Sequence, residues 1–246
     1  MIGIFDSGVG GLGLLHSLRK QFPGQDFIYM ADQAHVPYGS KDRETLQKLI
    51  CSCLGFMEQK GAQTIVLGCN TASASGAREV YRGKADVIGI IGKTCDLVDP
   101  QASRVLILST PFTAQSHSYR DELQKRYPGM QVEEKGLTCL AFMIEHGCPA
   151  QEVHAYLNGE IGHYRHQFDQ AVLACTHFPF ATKQFEEVLD IPLINSEGIR
   201  IPQPQTEGSG QCSFYTTGDP ELMKKQIHDL LGWDVECHHA ETKEQG

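Results

Sequence analysis

No apolar run in this 246-residue chain approaches the roughly 20 residues that a membrane span requires. Basic charge is also scarce: 21 Lys and Arg stand against 30 Asp and Glu, a formal charge of −9. A chain so poor in cations lacks the field that displaces counterions from a phosphate backbone, so nucleic acid is not an expected partner. An anionic membrane surface is excluded on the same ground. Met1-Ile2-Gly3-Ile4-Phe5 enters a strand-like segment directly, with no basic region or small-residue cleavage site, so no signal peptide is expected. Low-complexity tracts and repeat arrays are absent. The nine cysteines are an odd number in a chain too long for a disulfide miniprotein, which points to reduced thiols in a cytoplasmic protein. Most are expected to be small buried hydrophobes.

What is present is an ordinary globular composition, 41% hydrophobic and 21% charged. A chain of this length buries about 70–75% of its unfolded surface and needs neither metal nor disulfide to fold. Strand-like and helix-like segments alternate. Strands are expected at Ile2–Phe5, Phe27–Met30, Thr64–Leu67, Val87–Ile91, Arg104–Leu108, Gln131–Glu134, Ala171–Leu173 and Phe214–Thr216. Between them, Thr45–Lys60 carries a helical stripe of Leu46, Leu49, Ile50, Cys53, Leu54 and Met57, closed by Gly61. Ser73–Tyr81, Ser116–Arg126, Leu140–His146, Ala150–Arg165, Thr182–Leu189 and Glu221–Leu231 also read as helices. This alternation predicts an α/β fold of two similar lobes, each a mostly parallel sheet flanked by helices. Residues 1–99 with 208–246 form one expected lobe and 100–207 the other. Asn195–Gln211, rich in Pro, Gly, Ser and Gln, reads as loop, and the polar tail after Trp233 as frayed.

Two segments echo each other. Thr64-Ile65-Val66-Leu67-Gly68-Cys69-Asn70-Thr71 in the first series matches Gln170-Ala171-Val172-Leu173-Ala174-Cys175-Thr176-His177 in the second. Each runs from an apolar strand through a small residue to a cysteine, then to polar side chains and a helix. Each cysteine is therefore expected at the carboxyl end of a strand, where open α/β sheets bind ligands. Helix N–H groups there favour anions and would lower a thiol pKa from its usual value of about 8.5. If the lobes have similar topology and face each other, the thiols face each other across the cleft, which becomes the expected active site. Two opposed thiols suit inversion at a carbon centre: one takes a proton from one face while the other delivers a proton to the opposite face.

Further motifs extend this pattern: Ile4-Phe5-Asp6-Ser7-Gly8-Val9-Gly10-Gly11-Leu12, Tyr29-Met30-Ala31-Asp32, Val36-Pro37-Tyr38-Gly39-Ser40-Lys41, Ser109-Thr110-Pro111-Phe112-Thr113, Met143-Ile144-Glu145 and Tyr215-Thr216-Thr217-Gly218-Asp219-Pro220. Together with the two cysteine segments they give the chain, over nearly its whole length, a resemblance to the glutamate racemases of the Asp/Glu racemase superfamily. The Cys-Thr-His form of the second segment points to the glutamate branch, since the aspartate branch usually has an acidic residue after Cys-Thr.

That resemblance implies a two-base racemase that interconverts L- and D-glutamate without cofactor or metal and supplies D-glutamate for peptidoglycan. Cys69 would deprotonate the D-enantiomer and Cys175 the L-enantiomer. Asp6 would assist Cys69 and meet the substrate ammonium, while His177 and Glu145 would assist Cys175. Ser7, Asn70, Thr71, Thr113 and Thr176 would hold the amino and α-carboxylate groups. Pro37, Tyr38, Gly39 and Ser40 would cradle the side-chain carboxylate. The only partners implied are the small-molecule substrate and a second subunit, because family members are often homodimers.

The chain departs from the family pattern in Ala174 where Gly is usual, in Thr138-Cys139-Leu140-Ala141 before the acidic segment, and in Asn195 where Asp is usual. The Ala174 methyl is expected to narrow the pocket or tilt Cys175. Asp32 admits two readings, a cap on the following turn or a member of the site.

Other classes stand beside this one: a racemase of aspartate or of broader specificity, and a non-catalytic amino-acid-binding relative. A dinucleotide-binding reading rests on Gly8-Val9-Gly10-Gly11-Leu12-Gly13, with Asp32 about 20 residues beyond. Electrostatics oppose it, because Asp6 would point its carboxylate at the pyrophosphate position. Cys51-Ser52-Cys53 does not share one helix face, and Cys237-His238-His239 lacks a second ligand pair at zinc-site spacing, so neither is an expected metal site.

Overall fold

The computed structural model describes residues 1–204 and 208–242. It holds ten strands in chain order: β1 (Ile2–Asp6), β2 (Phe27–Ala31), β3 (Thr64–Leu67), β4 (Asp86–Gly89), β5 (Arg104–Ser109), β6 (Gln131–Gly136), β7 (Gln170–Ala174), β8 (Leu193–Asn195), β9 (Cys212–Thr216) and β10 (Cys237–His239). They form two sheets, and every pairing in both is parallel. The chain divides into two compact units, Met1–Ile90 with Arg200–Gly246, and Ile91–Ile199. Of the ranges expected for the lobes, 205–207 and 243–246 lie outside the described residues.

The first unit holds the sheet β10-β9-β2-β1-β3-β4. All five residues of β1 and all five of β2 are buried. A parallel strand covered on both faces is buried without alternation, and both strands are apolar throughout except for Asp6 at the end of β1. Leu12, Leu15 and Leu18 of the helix Leu12–Gln21, and Leu46, Ile50, Leu54 and Met57 of the helix Arg43–Gln59, pack in this core. Each such side chain contributes about 1.5–3 kcal/mol by leaving water. Asp42 starts the longer helix by accepting the Thr45 N–H at 2.9 Å, and Gly61, at φ +98°, lies just past its end. The returning C-terminal segment is fastened by Asp26, whose carboxylate accepts the N–H groups of Ser209 (2.7 Å) and Gln211 (3.1 Å) just before β9 pairs with β2.

The second unit holds the sheet β6-β5-β7-β8. Its core joins Leu106, Leu108, Leu173 and Ala171 of the sheet to Val153, Leu157 and Ile161 of the helix Ala150–Ile161, and to Phe185 and Leu189 of the helix Thr182–Leu189. The inner order of the first sheet, β2-β1-β3-β4, is reproduced here as β6-β5-β7-β8. Each therefore reverses strand order beside its first strand, between β1 and β3 in one unit and between β5 and β7 in the other. That reversal opens a crevice at the carboxyl ends of those strands.

Several sequence expectations give way. The strand expected at Val87–Ile91 ends at Gly89, and a helix runs from Ile90 to Cys95. The helix expected over Ser73–Tyr81 breaks at Gly76 (φ +79°) into Asn70–Ala74 and Ala77–Val80. His117, left-handed at φ 55°, splits Pro111–Ser116 from Ser118–Arg126. Asn195 belongs to β8 rather than to a loop. The tail after Trp233 is not wholly frayed: Cys237–His239 adds an edge strand on β9, because an open parallel edge offers backbone partners to a short polar segment.

Candidate functional site

In the first unit the crevice is built from the ends of β1 and β3. Asp6 is the last residue of β1 and is fully buried. Its Oδ1 accepts the Gly8 N–H at 3.0 Å, and the Tyr29 hydroxyl donates to the Gly8 carbonyl at 2.8 Å, so the glycine-rich turn is fixed from two sides. A Cβ on Gly11 would lie 3.0 Å from Asp6 Cβ, Asp6 Oδ2 and the Tyr29 hydroxyl. Glycine is needed there to let the turn close on the carboxylate, and no phosphate need be invoked.

Cys69 comes two residues after the end of β3 and is the N-cap of the helix Asn70–Ala74. The Phe5 carbonyl accepts the Cys69 N–H at 3.3 Å, which ties the cysteine to the end of β1. Ser7 Oγ lies 3.6 Å from Cys69 Sγ. Cys69, Ser7, Asn70 and Thr71 are all buried. The thiol does not titrate low, as the helix N-terminus alone would suggest. Burial, and then the nearby Asp6 charge, push the Cys69 thiol up to about 11. The Thr71 and Ala72 N–H groups and the Ser7 hydroxyl pull it down, but the sum goes the other way.

The segment 37–40 also belongs to this unit. Tyr38–Ser40 is a single tight turn that packs on the helix Asn70–Ala74. Pro37 and Ser40 are at least partly exposed, and Ser40 Oγ donates to the Pro37 carbonyl at 3.1 Å. Tyr38 is buried, and its hydroxyl is committed to Asp32 Oδ2 at 2.5 Å. Asp32 Oδ1 also accepts from Thr217 Oγ1 at 2.6 Å and lies 2.7 Å from His35 Nδ1. Asp32 is therefore more than a turn cap: one buried carboxylate gathers three side chains and fixes the loop to the end of β9. Thr217 lies in the motif Tyr215-Thr216-Thr217-Gly218-Asp219-Pro220, but nothing in the sequence assigned it to Asp32.

In the second unit, Thr113 lies in the helix Pro111–Ser116, which comes directly after β5 and Thr110. Thr110 is its N-cap and Pro111 its first residue; Thr110 Oγ1 accepts the Thr113 N–H at 3.3 Å and donates to Thr113 Oγ1 at 3.1 Å. Cys175 comes directly after β7. Thr113, Cys175, Thr176 and His177 are all buried. Ala174, at the departure from the family pattern, is fully buried opposite Ser109 in register. His177 Nε2 stands 3.8 Å from Glu145 Oε2, too far for a hydrogen bond, and this buried nitrogen has no hydrogen-bond partner. Burial lowers the His177 pKa, and the Glu145 charge opposes that only in part.

The structure thus gathers Asp6, Ser7, Cys69, Asn70 and Thr71 at one crevice, with the 37–40 turn against the same short helix, and in the second unit brings His177 within 3.8 Å of Glu145 without a hydrogen bond between them. Each crevice holds a thiol, hydroxyls and an ionisable side chain, groups that can donate and accept protons. Among the described residues, no group of three or more His, Cys, Asp and Glu side chains could hold a metal ion.

The chain is similar in sequence and in fold to known proteins. The sequence matches the Asp/Glu/Hydantoin racemase family over residues 13–200. The glutamate racemase of Aquifex aeolicus is 30% identical, with 96% of this chain and 95% of that protein covered. The crystal structure of a glutamate racemase from Bacillus anthracis shares the fold at a TM-score of 0.88 and 23% identity, covering 98% of this chain and 97% of that one. The glutamate racemase of Francisella tularensis subsp. tularensis, solved in complex with D-glutamate, is 25% identical at a TM-score of 0.85 with the same coverage of both chains. A match of this length, on a chain whose sheets each set a cysteine at a strand-order reversal, is decisive: the protein belongs to the Asp/Glu/Hydantoin racemase family.

Proposed function

We propose that the protein is a glutamate racemase in which Cys69 and Cys175 are the two bases, one on each face of the substrate Cα. The observation that carries this reading is the repeated placement of a buried cysteine after the third strand of each sheet, in units with the same inner strand order.

In one direction the Cys69 thiolate takes the Cα proton of D-glutamate and becomes a thiol. The electron pair spreads into the α-carboxylate, and the Cys175 thiol returns a proton to the opposite face, leaving a thiolate. The reverse direction exchanges the roles, and no net proton is consumed. In the free protein Cys69 is mostly a thiol, with a pKa of about 11. A substrate ammonium placed beside Asp6 would neutralise the charge that helps raise it, so binding itself favours the thiolate. His177, whose pKa burial lowers and which stands near Glu145, would assist Cys175 by exchanging a proton. Ser7, Asn70, Thr71, Thr113 and Thr176 supply the polar groups for the ammonium and α-carboxylate. The turn Pro37–Ser40 offers backbone N–H groups to the distal carboxylate. We further assign the protein to the cytoplasm as a supplier of D-glutamate for peptidoglycan. Its nine unpaired cysteines support that placement, because thiols stay reduced in that compartment.

The test is enantiomer-resolved chromatography on L- and D-glutamate in deuterium oxide. The wild type should racemise both and acquire deuterium at Cα. Cys69→Ala and Cys175→Ala should each abolish racemisation, with α-proton exchange of one enantiomer able to survive in a single variant. Undiminished racemisation in both variants excludes the mechanism. Aspartate run in parallel separates a glutamate enzyme from an aspartate or broad-specificity racemase, and binding without turnover would identify a non-catalytic relative.

A further inference from the structure

The helix behind Cys69 has only five residues, Asn70–Ala74, too few to be stable without tertiary support. Its carboxyl end turns at Gly76 (φ +79°) and leaves backbone carbonyls without helical partners. Two side chains from a distant segment take them. Arg43 Nη1 donates to the Ala74 carbonyl at 3.1 Å and to the Ser75 carbonyl at 3.0 Å. Gln47 Nε2 donates to the Ser75 carbonyl at 2.8 Å. A Cβ on Gly76 would come within 3.3 Å of Gln47 Nε2 and 3.6 Å of Arg43 Nη1, so the bare glycine keeps this approach open. A cation at this end also complements the helix dipole.

Arg43 is the first residue of its own helix, immediately after the N-cap Asp42 and three residues beyond the turn Tyr38–Ser40. That turn packs on the same five-residue helix. One guanidinium therefore ties the loop assigned to the distal carboxylate to the helix whose first turn points N–H groups at the Cys69 sulfur.

We infer that Arg43, seconded by Gln47, is a positioning residue that sets Cys69 against the substrate Cα without touching the substrate. This rests on the proposed two-thiol racemisation. An Arg is suited to the task because the two N–H groups of Nη1 are fixed in the guanidinium plane, one for each carbonyl, whereas a Lys ammonium rotates freely on a flexible stem.

The inference distinguishes one base from the other. Enantiomers have equal free energy in water, so kcat/KM must be equal in the two directions for every variant. The deuterium isotope effect from substrate labelled at Cα is not so constrained. Displacing Cys69 makes its own proton transfer more rate-limiting. The isotope effect on kcat/KM should then rise when labelled D-glutamate is the substrate and fall when labelled L-glutamate is. Arg43→Ala should lower kcat about tenfold to a hundredfold, the usual cost of a slightly misplaced catalytic group. Arg43→Lys and Gln47→Ala should show smaller shifts of the same sign. If Arg43→Ala fails to fold, those two variants decide the question.

An unchanged kcat, or isotope effects that move equally in both directions, would overturn the inference, since a general loss of structure has no preference between the thiols. Failure of the wild type itself to racemise glutamate would overturn the functional reading, and the inference with it, before any variant is made.

Discussion

Asp6→Asn should change thiol reactivity and turnover in opposite directions. In the free protein, burial and the Asp6 charge hold the Cys69 pKa near 11, so at pH 8 only about one Cys69 in a thousand is a thiolate. The substitution keeps the shape and burial of the site but removes the negative charge. A single like charge at close range typically accounts for about a tenfold change in ionised fraction or more, so Cys69 should be alkylated about tenfold faster at pH 8. The sign is set because the group that disfavoured the anion is gone, while the Thr71, Ala72 and Ser7 donors that favour it remain. Racemisation should nevertheless fall about a hundredfold or more, because the substrate ammonium loses its carboxylate partner and the thiol its assisting group. The assay is iodoacetamide alkylation with peptide mass spectrometry as the readout. The Cys69 rate is taken against exposed Cys139, over pH 7 to 10, with circular dichroism confirming the fold. Alkylation that is unchanged or slower in Asp6→Asn would refute the electrostatic argument. Alkylation and turnover rising together would refute the assignment of a positive role to Asp6.

Two further outcomes are expected from the packing around the same crevice. Gly11→Ala should destabilise the protein by about 1–3 kcal/mol in urea unfolding and reduce turnover, because its Cβ would stand 3.0 Å from both Asp6 and the Tyr29 hydroxyl; wild-type values for both would show that the turn yields freely. Tyr38→Phe should cost about 1–3 kcal/mol, since it withdraws the hydroxyl that donates to the buried Asp32 carboxylate. It should raise KM for glutamate more than it lowers kcat, because the loop it anchors is assigned to the distal carboxylate rather than to the reacting carbon, and steady-state kinetics distinguish the two effects.

Much of the architecture is legible in local pattern alone. Apolar runs mark strands buried on both faces, and the stripe from Leu46 to Met57 marks the helix Arg43–Gln59 because core-facing residues recur with the helical period. The echo of Thr64–Thr71 in Gln170–His177 sets each cysteine at the end of a strand before any pairing is known, since a residue next to a strand in the chain must lie at that strand's end. Local pattern carries no record of which strand neighbours which. The inner strand order shared by both sheets, and the edge strand that captures Cys237–His239, arise from backbone pairing between segments far apart in the chain. Nor does a motif report a balance of opposing forces. A helix N-terminus implies a low thiol pKa, yet the depth of Cys69 and the charge of Asp6, which is 63 positions away in sequence, reverse the sign. The union of Asp32 with Tyr38, His35 and Thr217, and the reach of Arg43 to Ala74 and Ser75, are likewise decided only in three dimensions. Secondary structure depends on residues a few positions apart, whereas desolvation, charge interaction and carbonyl capping sum over atoms that only folding brings near.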